Sequence, residues 1–520
     1  MKRDYFRVIH PFLFGSYSVI ALLAFNLNEV FPTEALRSLV VVLAVTAVLY
    51  LFFSLLFKNG DKAGLLVSLY WLLFFSHGHI VEVWRNSLQP DSIITAFDVA
   101  RYLTALWAAF FIVGTWGIWR LIKRDIKALT TVLNVTAAIA IALPTYNVLA
   151  YLANLDTSSP QPTEPTLTTT ISSQQLPDIY FILMDGYTSE AVLAEVFDYD
   201  NSELVTFLQQ KGFFVANNSF SNYNQTRLSL AATLNYDYVD NLLTDIDTES
   251  ADKRPLRELI QTNKVERFLR DLGYKTVAIS SGFNATEFKT ADVFIAPDAT
   301  VINEFESMLL INSIVGTVLE SNLRFEEKRG RVNFVFDAIP QAVSVPGPKF
   351  VFVHILAPHW PMVFGPNGEK LSPITHPNPN SAEAIELWFR SYLQRYPGEV
   401  TYLNQRLQEA VTQILDESSH PPIILIQGDH GSRAYLNFSS ATDTCVRERF
   451  GILNAYYLPD NGVNQLYDSI SSVNSFRIIL DTYFDTNLGL VDDTSYFATW
   501  DHTYDFIDVT DRLDQLCPAP

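Results

Sequence analysis

Five long apolar segments fill the first third of the chain, roughly residues 9–30, 36–57, 63–83, 99–122 and 128–153. Each is long enough to cross a bilayer, whose hydrocarbon core takes about 20 residues of helix. Asn26, Asn28 and Glu29 close the first, and His77, His79 and Glu82 lie towards the end of the third, which sets those ends at the interface. A cleaved leader has one short apolar core, so five successive spans predict a permanent transmembrane bundle over residues 1–155.

The basic residues orient that bundle. Lys2, Arg3 and Arg7 precede the first span, Lys58 and Lys62 join the second and third, and Arg120, Lys123, Arg124 and Lys127 join the fourth and fifth. The alternate loops hold only Arg37, Arg85 and Arg101. Nine against three places the N-terminus in the cytoplasm. With an odd number of spans, everything after about residue 155 then lies outside the cell membrane.

The outer part differs in composition. Residues 1–156 hold 12 basic and 9 acidic residues, and the remainder carries a net charge of −23. A surface of that sign repels nucleic acid, so a nucleic-acid partner is excluded, and an anionic substrate needs a local cation to hold it. The two cysteines, Cys445 and Cys517, both lie outside, where a disulfide is permitted, but their separation along the chain does not decide whether they pair. Residues 156–175 are rich in Thr, Ser and Pro and read as a linker.

From residue 176 to 520 short apolar runs alternate with helical periodicity. Strands are expected at 179–184, 276–279, 293–295, 350–355, 423–426 and 452–457, with helices at 189–197, 201–211, 255–271, 304–319, 400–416 and 471–484. That alternation predicts an α/β domain with a mainly parallel sheet flanked by helices on both faces.

Four stretches carry the chemistry. Ile423 to Ile426 run into Gln427-Gly428-Asp429-His430-Gly431, an apolar strand ending in an acid and an imidazole between glycines. In an extended strand Asp429 and His430 point to opposite faces, and a glycine on each side lets the backbone turn so that both converge. Ile179 to Met184 lead likewise into Asp185-Gly186, and two acids at strand ends suit a divalent metal. Asp185 also fits a helix cap, and the Asp429-His430 pair a solvated turn. Asp178, at the opposite end of its strand, suits strand pairing. A polar loop, Ser221 to Gln225, enters a small-residue helix with Thr226 in its first turn, where the dipole and free N–H groups favour an oxyanion. Capping is the ordinary use of such a Thr. Finally Val353-His354 lead to Ala357-Pro358-His359-Trp360-Pro361, where His359 faces the strand ends and His354 reads as a core histidine supporting it.

Met184-Asp185-Gly186-Tyr187, Asn224-Gln225-Thr226, Ala357-Pro358-His359-Trp360-Pro361 and Gly428-Asp429-His430-Gly431, in that order behind five spans, resemble the sulfatase-like branch of the alkaline phosphatase superfamily. Within it the chain is most similar to the membrane-anchored lipoteichoic acid synthase and phosphoethanolamine transferase type. The resemblance implies one divalent metal ion (Mn, Zn or Mg) held by Asp185, Thr226, Asp429 and His430, with Thr226 as nucleophile and His359 contacting the substrate phosphate. Synthases of that type commonly carry Glu where this chain has Asp185. Sulfatases proper need a Cys or Ser in Cys/Ser-x-Pro-x-Arg, whereas this chain has Thr226-Arg227-Leu228-Ser229-Leu230 there, which argues against sulfate-ester specialism.

The activity so implied is a metal-dependent transfer of a phosphoryl headgroup at the outer face of the membrane, through a covalent phospho-threonine. The donor is a membrane lipid or lipid-linked substrate, and the acceptor a cell-envelope hydroxyl. A sulfatase-like phosphodiesterase or phosphatase is the alternative, and an inactive scaffold of the same fold the second. Arg433 is a further phosphate contact or a structural arginine. The topology is testable by thiol labelling of intact cells. A membrane-impermeant maleimide is expected to modify Ser173→Cys and to leave Lys123→Cys unlabelled until the membrane is broken, and the reverse pattern overturns the orientation.

Overall fold

The computed structural model describes residues 8–27, 29–87, 96–120, 126–155, 176–297, 302–374, 381–460 and 462–518. The expected linker at 156–175 lies outside them. The chain forms two compact units, one made of Met1–Thr163, Ile302–Arg324 and Pro373–Leu387, the other of Glu164–Val301, Phe325–Ser372 and Trp388–Pro520.

The first unit contains the five expected helices: α1 (His10–Phe25), α2 (Ala35–Phe57), α3 (Gly60–Asn86), α4 (Ala96–Arg120) and α5 (Lys127–Leu155). The last four supply segments long and apolar enough to cross a membrane. Helix α1 has 16 residues, about 24 Å at 1.5 Å per residue, and is a shorter apolar helix. It stops where Asn26 turns its side-chain amide back onto the Leu22 carbonyl at 2.7 Å. Apolar side chains on these helices point outwards, among them Val40, Val48, Ile112 and Ile139, all more than half exposed. Polar groups meet inside instead: Trp71 Nε1 donates to Thr46 Oγ1 at 2.8 Å, and Thr130 Oγ1 to Asp61 Oδ1 at 2.7 Å. Apolar outside and polar inside is the pattern that lipid, rather than water, demands.

The second unit is built on a seven-stranded sheet: β1 (Ile179–Met184), β2 (Phe214–Val215), β3 (Lys275–Ile279), β4 (Val293–Ile295), β5 (Lys349–Ile355), β6 (Ile423–Gly428) and β7 (Asn454–Tyr457), in the order β2-β7-β6-β1-β5-β3-β4. Strands β4, β3, β5, β1 and β6 pair in parallel, and β7 runs antiparallel to β6 and β2. The central strands are apolar throughout because both faces are covered. Tyr180, Ile182, Val353 and Ile426 pack on one face with α6 (Glu190–Phe197), α7 (Ser202–Gln210) and the helix Ala382–Glu417. Phe181, Leu183, Phe352 and Leu425 pack on the other with α8 (Thr226–Asn235) and the helix Ser472–Phe484. Asp178 pins the start of β1 to β5, accepting from the Lys349 backbone at 3.1 Å and from its Nζ at 2.6 Å.

Some elements differ from the sequence reading. The helix expected at 255–271 is two, Arg254–Gln261 and Lys264–Asp271, because the Asn263 side chain accepts from Glu266 N and caps a new start. The one expected at 304–319 is also two, Glu304–Ile311 and Ile314–Val343.

Register sets where the site lies. Met184 of β1 stands opposite Ile355 of β5 and Gly428 of β6, so the three central strands end level, and Asp185, Leu356 and Asp429 follow at one edge. The glycines around Asp429 serve a purpose other than the one the sequence suggests. Neither has a positive φ. They are needed for space: a Cβ on Gly428 would sit 2.4 Å from the Tyr187 carbonyl oxygen, and one on Gly431 2.0 Å from the Glu448 carbonyl oxygen. Both obstacles are backbone, so Gly431→Ala is expected to cost about 3 kcal/mol or more. Gly330→Ala, at an exposed position of the helix Ile314–Val343 with nothing within 4 Å of the new Cβ, is expected to stabilise by about 0.5–1 kcal/mol. Thermal unfolding of the two variants checks this, and a Gly431→Ala protein melting with the wild type contradicts it.

Candidate metal and phosphate site

Asp185 leaves β1 at Gly186, whose φ of +75° turns the chain sharply and aims its N–H at Asp429. Asp429 Oδ1 accepts from that N–H and from His430 N, both at 2.9 Å, which fixes the carboxylate and leaves its other oxygen to face the site. His430 Nδ1 lies 3.0 Å from the Gly431 carbonyl, an obligate acceptor, so Nδ1 carries the proton and Nε2 presents a lone pair. Thr226, the first residue of α8, places Oγ1 3.2 Å from that Nε2.

Acceptors therefore face acceptors. From His430 Nε2 it is 3.3 Å to Asp429 Oδ2 and 3.7 Å to Asp185 Oδ1, and both carboxylate oxygens are buried with no hydrogen-bond partner. Burial first, and the neighbouring carboxylate second, push Asp185 well above the usual range, and burial raises Asp429. Burial likewise drives His430 well below the ordinary imidazole range. Unpaired buried acceptors of this kind are costly, and a cation removes the cost. The set fits a divalent ion: one ligand atom each from Asp185, Asp429 and His430 lies within 4.8 Å of the others. A tetrahedral site with bonds of about 2.0–2.2 Å has edges of about 3.3–3.6 Å, which the His430 distances match closely. The four residues expected from sequence thus come together, Thr226 half-buried and the other three buried.

His359 is also brought to the site, its ring centroid 6.4 Å from that of His430. Burial, then Lys328 and His430, push its pKa well below the usual imidazole range. Sequence reasoning missed what holds its loop. Lys328 Nζ donates to the His359 carbonyl and, at 2.9 Å, to that of Pro361. Buried Glu399 Oε1 accepts from Val363 N at 2.9 Å and Phe364 N at 3.3 Å. Each group feels the other's charge, so an ammonium and a carboxylate hold opposite ends of one loop.

Arg449 was equally silent in sequence. Its Nε and Nη2 donate to the Asn224 carbonyl at 2.9 and 2.6 Å, and its Nη1 to that of Gly431 at 3.0 Å, tying the Thr226 loop to the His430 loop. Burial lowers its pKa to about 10, still charged at neutral pH. Asn224 and Gln225 hook onto Ala498 near the C-terminus. Cys445, at the start of the short helix bearing Glu448 and Arg449, is joined by a disulfide to Cys517. Arg433 lies over the rings of Trp388 and Phe438, at 5.5 and 5.6 Å from their centroids, with its backbone N–H on Tyr392. His354 differs from its expected support of His359: its Nδ1 meets Thr286 Oγ1 at 2.9 Å, and its Nε2 looks towards Asp185. None of these partners forms a local motif, so only the fold reveals them.

Comparison with known proteins adds a family. The model described as Sulfatase matches residues 177–476, more than half of the chain. No curated protein matches the sequence. Among solved structures, the zinc complex of the C-terminal periplasmic domain of EcEptC from Escherichia coli is 14% identical, covering 68% of this chain and 99% of that one at a TM-score of 0.43. Lipooligosaccharide phosphoethanolamine transferase A, an integral membrane protein from Neisseria meningitidis, is 13% identical, with 92% and 94% covered and a TM-score of 0.38. The putative sulfatase yidJ from Bacteroides fragilis is 12% identical, with 64% and 83% covered and a TM-score of 0.38.

The Lys328 and Glu399 pairing predicts coupling between the two. Lys328→Met, which leaves a buried carboxylate uncompensated, is expected to lose about 3 kcal/mol of stability. The double variant Lys328→Met/Glu399→Gln is expected to lose less than the two singles together. A double-mutant cycle that adds to within about 0.5 kcal/mol rules the coupling out.

Proposed function

The chain belongs to the sulfatase family, and from that premise we propose that it transfers a phosphoryl headgroup from a phospholipid to a cell-envelope hydroxyl at the outer face of the membrane. The observation that supports this most is Thr226 Oγ1, half-buried at a helix start and 3.2 Å from the lone pair of His430, beside two orphaned carboxylate oxygens.

Asp185, Asp429, His430 and Thr226 would hold one divalent ion, Mn, Zn or Mg, the single imidazole favouring Mn or Zn. When bound, such an ion lowers the pKa of a coordinated hydroxyl and polarises a phosphoryl oxygen. Thr226 stands where a nucleophile is needed, and no side chain caps α8, so its first-turn N–H groups remain open to phosphoryl oxygens. Thr226 Oγ attacks phosphorus in line, its proton passing to solvent, while the bond from phosphorus to the diacylglycerol oxygen breaks. His359, neutral in the free protein because burial lowers its pKa, donates a hydrogen bond to the phosphate. The anionic charge of the substrate raises that pKa, so that His359 gives the leaving oxygen its proton. The acceptor hydroxyl then attacks phosphorus, its proton passing to His359, while the bond from phosphorus to Thr226 Oγ breaks and Thr226 regains a proton from solvent. Arg433 and Lys328 add positive charge beside Asp185.

A membrane position is supported by the four apolar helices that meet the length for crossing. A lipid donor follows from the chemistry of the outer space, where no nucleotide triphosphate is supplied and the phosphoryl group must arrive activated. Intact-mass analysis of the full-length protein, incubated with membrane lipids and Mn or Zn, tests the reading. The expected result is one headgroup phosphate added at Thr226, with release of diacylglycerol. Thr226→Ala and chelation should each abolish the adduct, and Thr226→Ser should retain it. A protein that releases no diacylglycerol yet hydrolyses soluble phosphodiesters with metal is a hydrolase, and that outcome sinks the transferase. Failure of the wild type to retain any divalent ion, with no effect of Thr226→Ala, indicates a scaffold.

A further inference from the structure

His354 is fully buried in β5, one residue before the level where the central strands end. Its two ring nitrogens have unlike surroundings. Nδ1 lies 2.9 Å from Thr286 Oγ1. That hydroxyl also lies 3.1 Å from the Phe283 carbonyl, which accepts the Thr286 N–H at 2.9 Å and has a second lone pair to offer. Ser281 Oγ, 3.0 Å away, can supply its own proton to the Thr286 oxygen. In the arrangement where Ser281 donates to the Thr286 oxygen and the Thr286 hydroxyl donates to Nδ1, the ring carries its proton on Nε2.

That Nε2 is buried and has no hydrogen-bond partner. It points at Asp185 Oδ2, 3.9 Å away, while the other oxygen of the same carboxylate, Oδ1, faces His430 Nε2. A buried ring nitrogen left without a partner is unusual, and a shift of about 1 Å brings this one to hydrogen-bond distance of the carboxylate. His354 lies outside the close set of Asp185, Asp429 and His430 that one ion could bridge. Its place is behind the carboxylate, where ligands are held in orientation by partners that do not touch the metal.

We propose that His354 is the positioning residue for Asp185. It donates from Nε2 to Oδ2, turning Oδ1 towards a divalent cation, with Thr286 fixing the tautomer. The inference rests on the metal reading of the Asp185, Asp429 and His430 set and assigns it a supporting relay, Ser281 to Thr286 to His354 to Asp185. The relay also accounts for a short acid at position 185: with a histidine behind it, the carboxylate is set by a hydrogen bond rather than by the reach of a longer side chain.

The test is the dissociation constant of Zn or Mn from purified full-length protein, by competition with a chromophoric chelator, together with the number of imidazoles around the bound metal by X-ray absorption. His354→Ala is expected to weaken binding by about 10- to 100-fold, with the imidazole count unchanged at one. His354→Gln, which keeps an N–H donor, should recover most of the affinity. Thr286→Val, which leaves the histidine and frees its tautomer, should weaken binding by a few fold; it keeps the question answerable should His354→Ala not fold. Wild-type affinity in Thr286→Val and in folded His354→Ala overturns the relay while leaving the metal site intact. An imidazole count of two that falls to one in His354→Gln makes His354 a ligand and overturns the positioning role. A wild-type chain that binds neither metal overturns both this inference and the metal reading beneath it.

Discussion

The α/β unit depends on one electrostatic conflict, the meeting of Asp185 Oδ1, Asp429 Oδ2 and the lone pair of His430 Nε2 with no proton donor to satisfy all three. Folding three acceptors into so small a space requires that each be unable to turn away. Asp429 is held by two backbone N–H groups, His430 by the Gly431 carbonyl, and Asp185 by the end of a strand paired on both sides. Preorganisation of this kind makes a cation site rigid before the cation arrives, and it leaves little freedom to the hydroxyl of Thr226 beside it.

That rigidity is delivered by register. Three parallel strands that end level put the residues after Met184, Ile355 and Gly428 at one edge, and β1 and β6 contribute their acids there directly. This part was legible in the chain, because a strand buried on both faces shows as an unbroken apolar run and the acid after it stands out. The disulfide partners and the glycine role were not legible. Gly428 and Gly431 look like turn residues in sequence, but what excludes a side chain is backbone from Tyr187 and Glu448, hundreds of residues away in one case and 17 in the other. Periodicity carried the helix at 255–271 straight through Thr262 and Asn263, since both halves keep one apolar face, and only the Asn263 cap separates them.

A second layer, invisible from sequence, holds the loops rather than the ligands. Arg449 joins the loop before Thr226 to that after His430, while Glu448 beside it accepts from Ser432, Ala434 and Tyr435. Lys328 and Glu399 do the same for the loop of His359. These charges come from three helices, Val446–Phe450, Ile314–Val343 and Ala382–Glu417, and nothing in their local pattern separates them from surface charge. Buried ions of both signs are expensive to desolvate, so their concentration around one strand edge marks a place where loop position matters more than stability.

The net charge of the residues after 156 bears on which substrate reaches the site. At −23 it opposes the approach of a free anionic phosphodiester. Salt screens that repulsion beyond about 8 Å, so its effect is on encounter and not on binding once the substrate is in place. Within the site the balance reverses, since Lys328, Arg433 and Arg449 all act on Asp185. Under the proposed function, a surface that discourages soluble anions around a site for phosphate suits a donor already confined to the membrane, whose local concentration does not depend on diffusion from solution. The proposed lipid donor meets that condition, and a soluble phosphodiester does not.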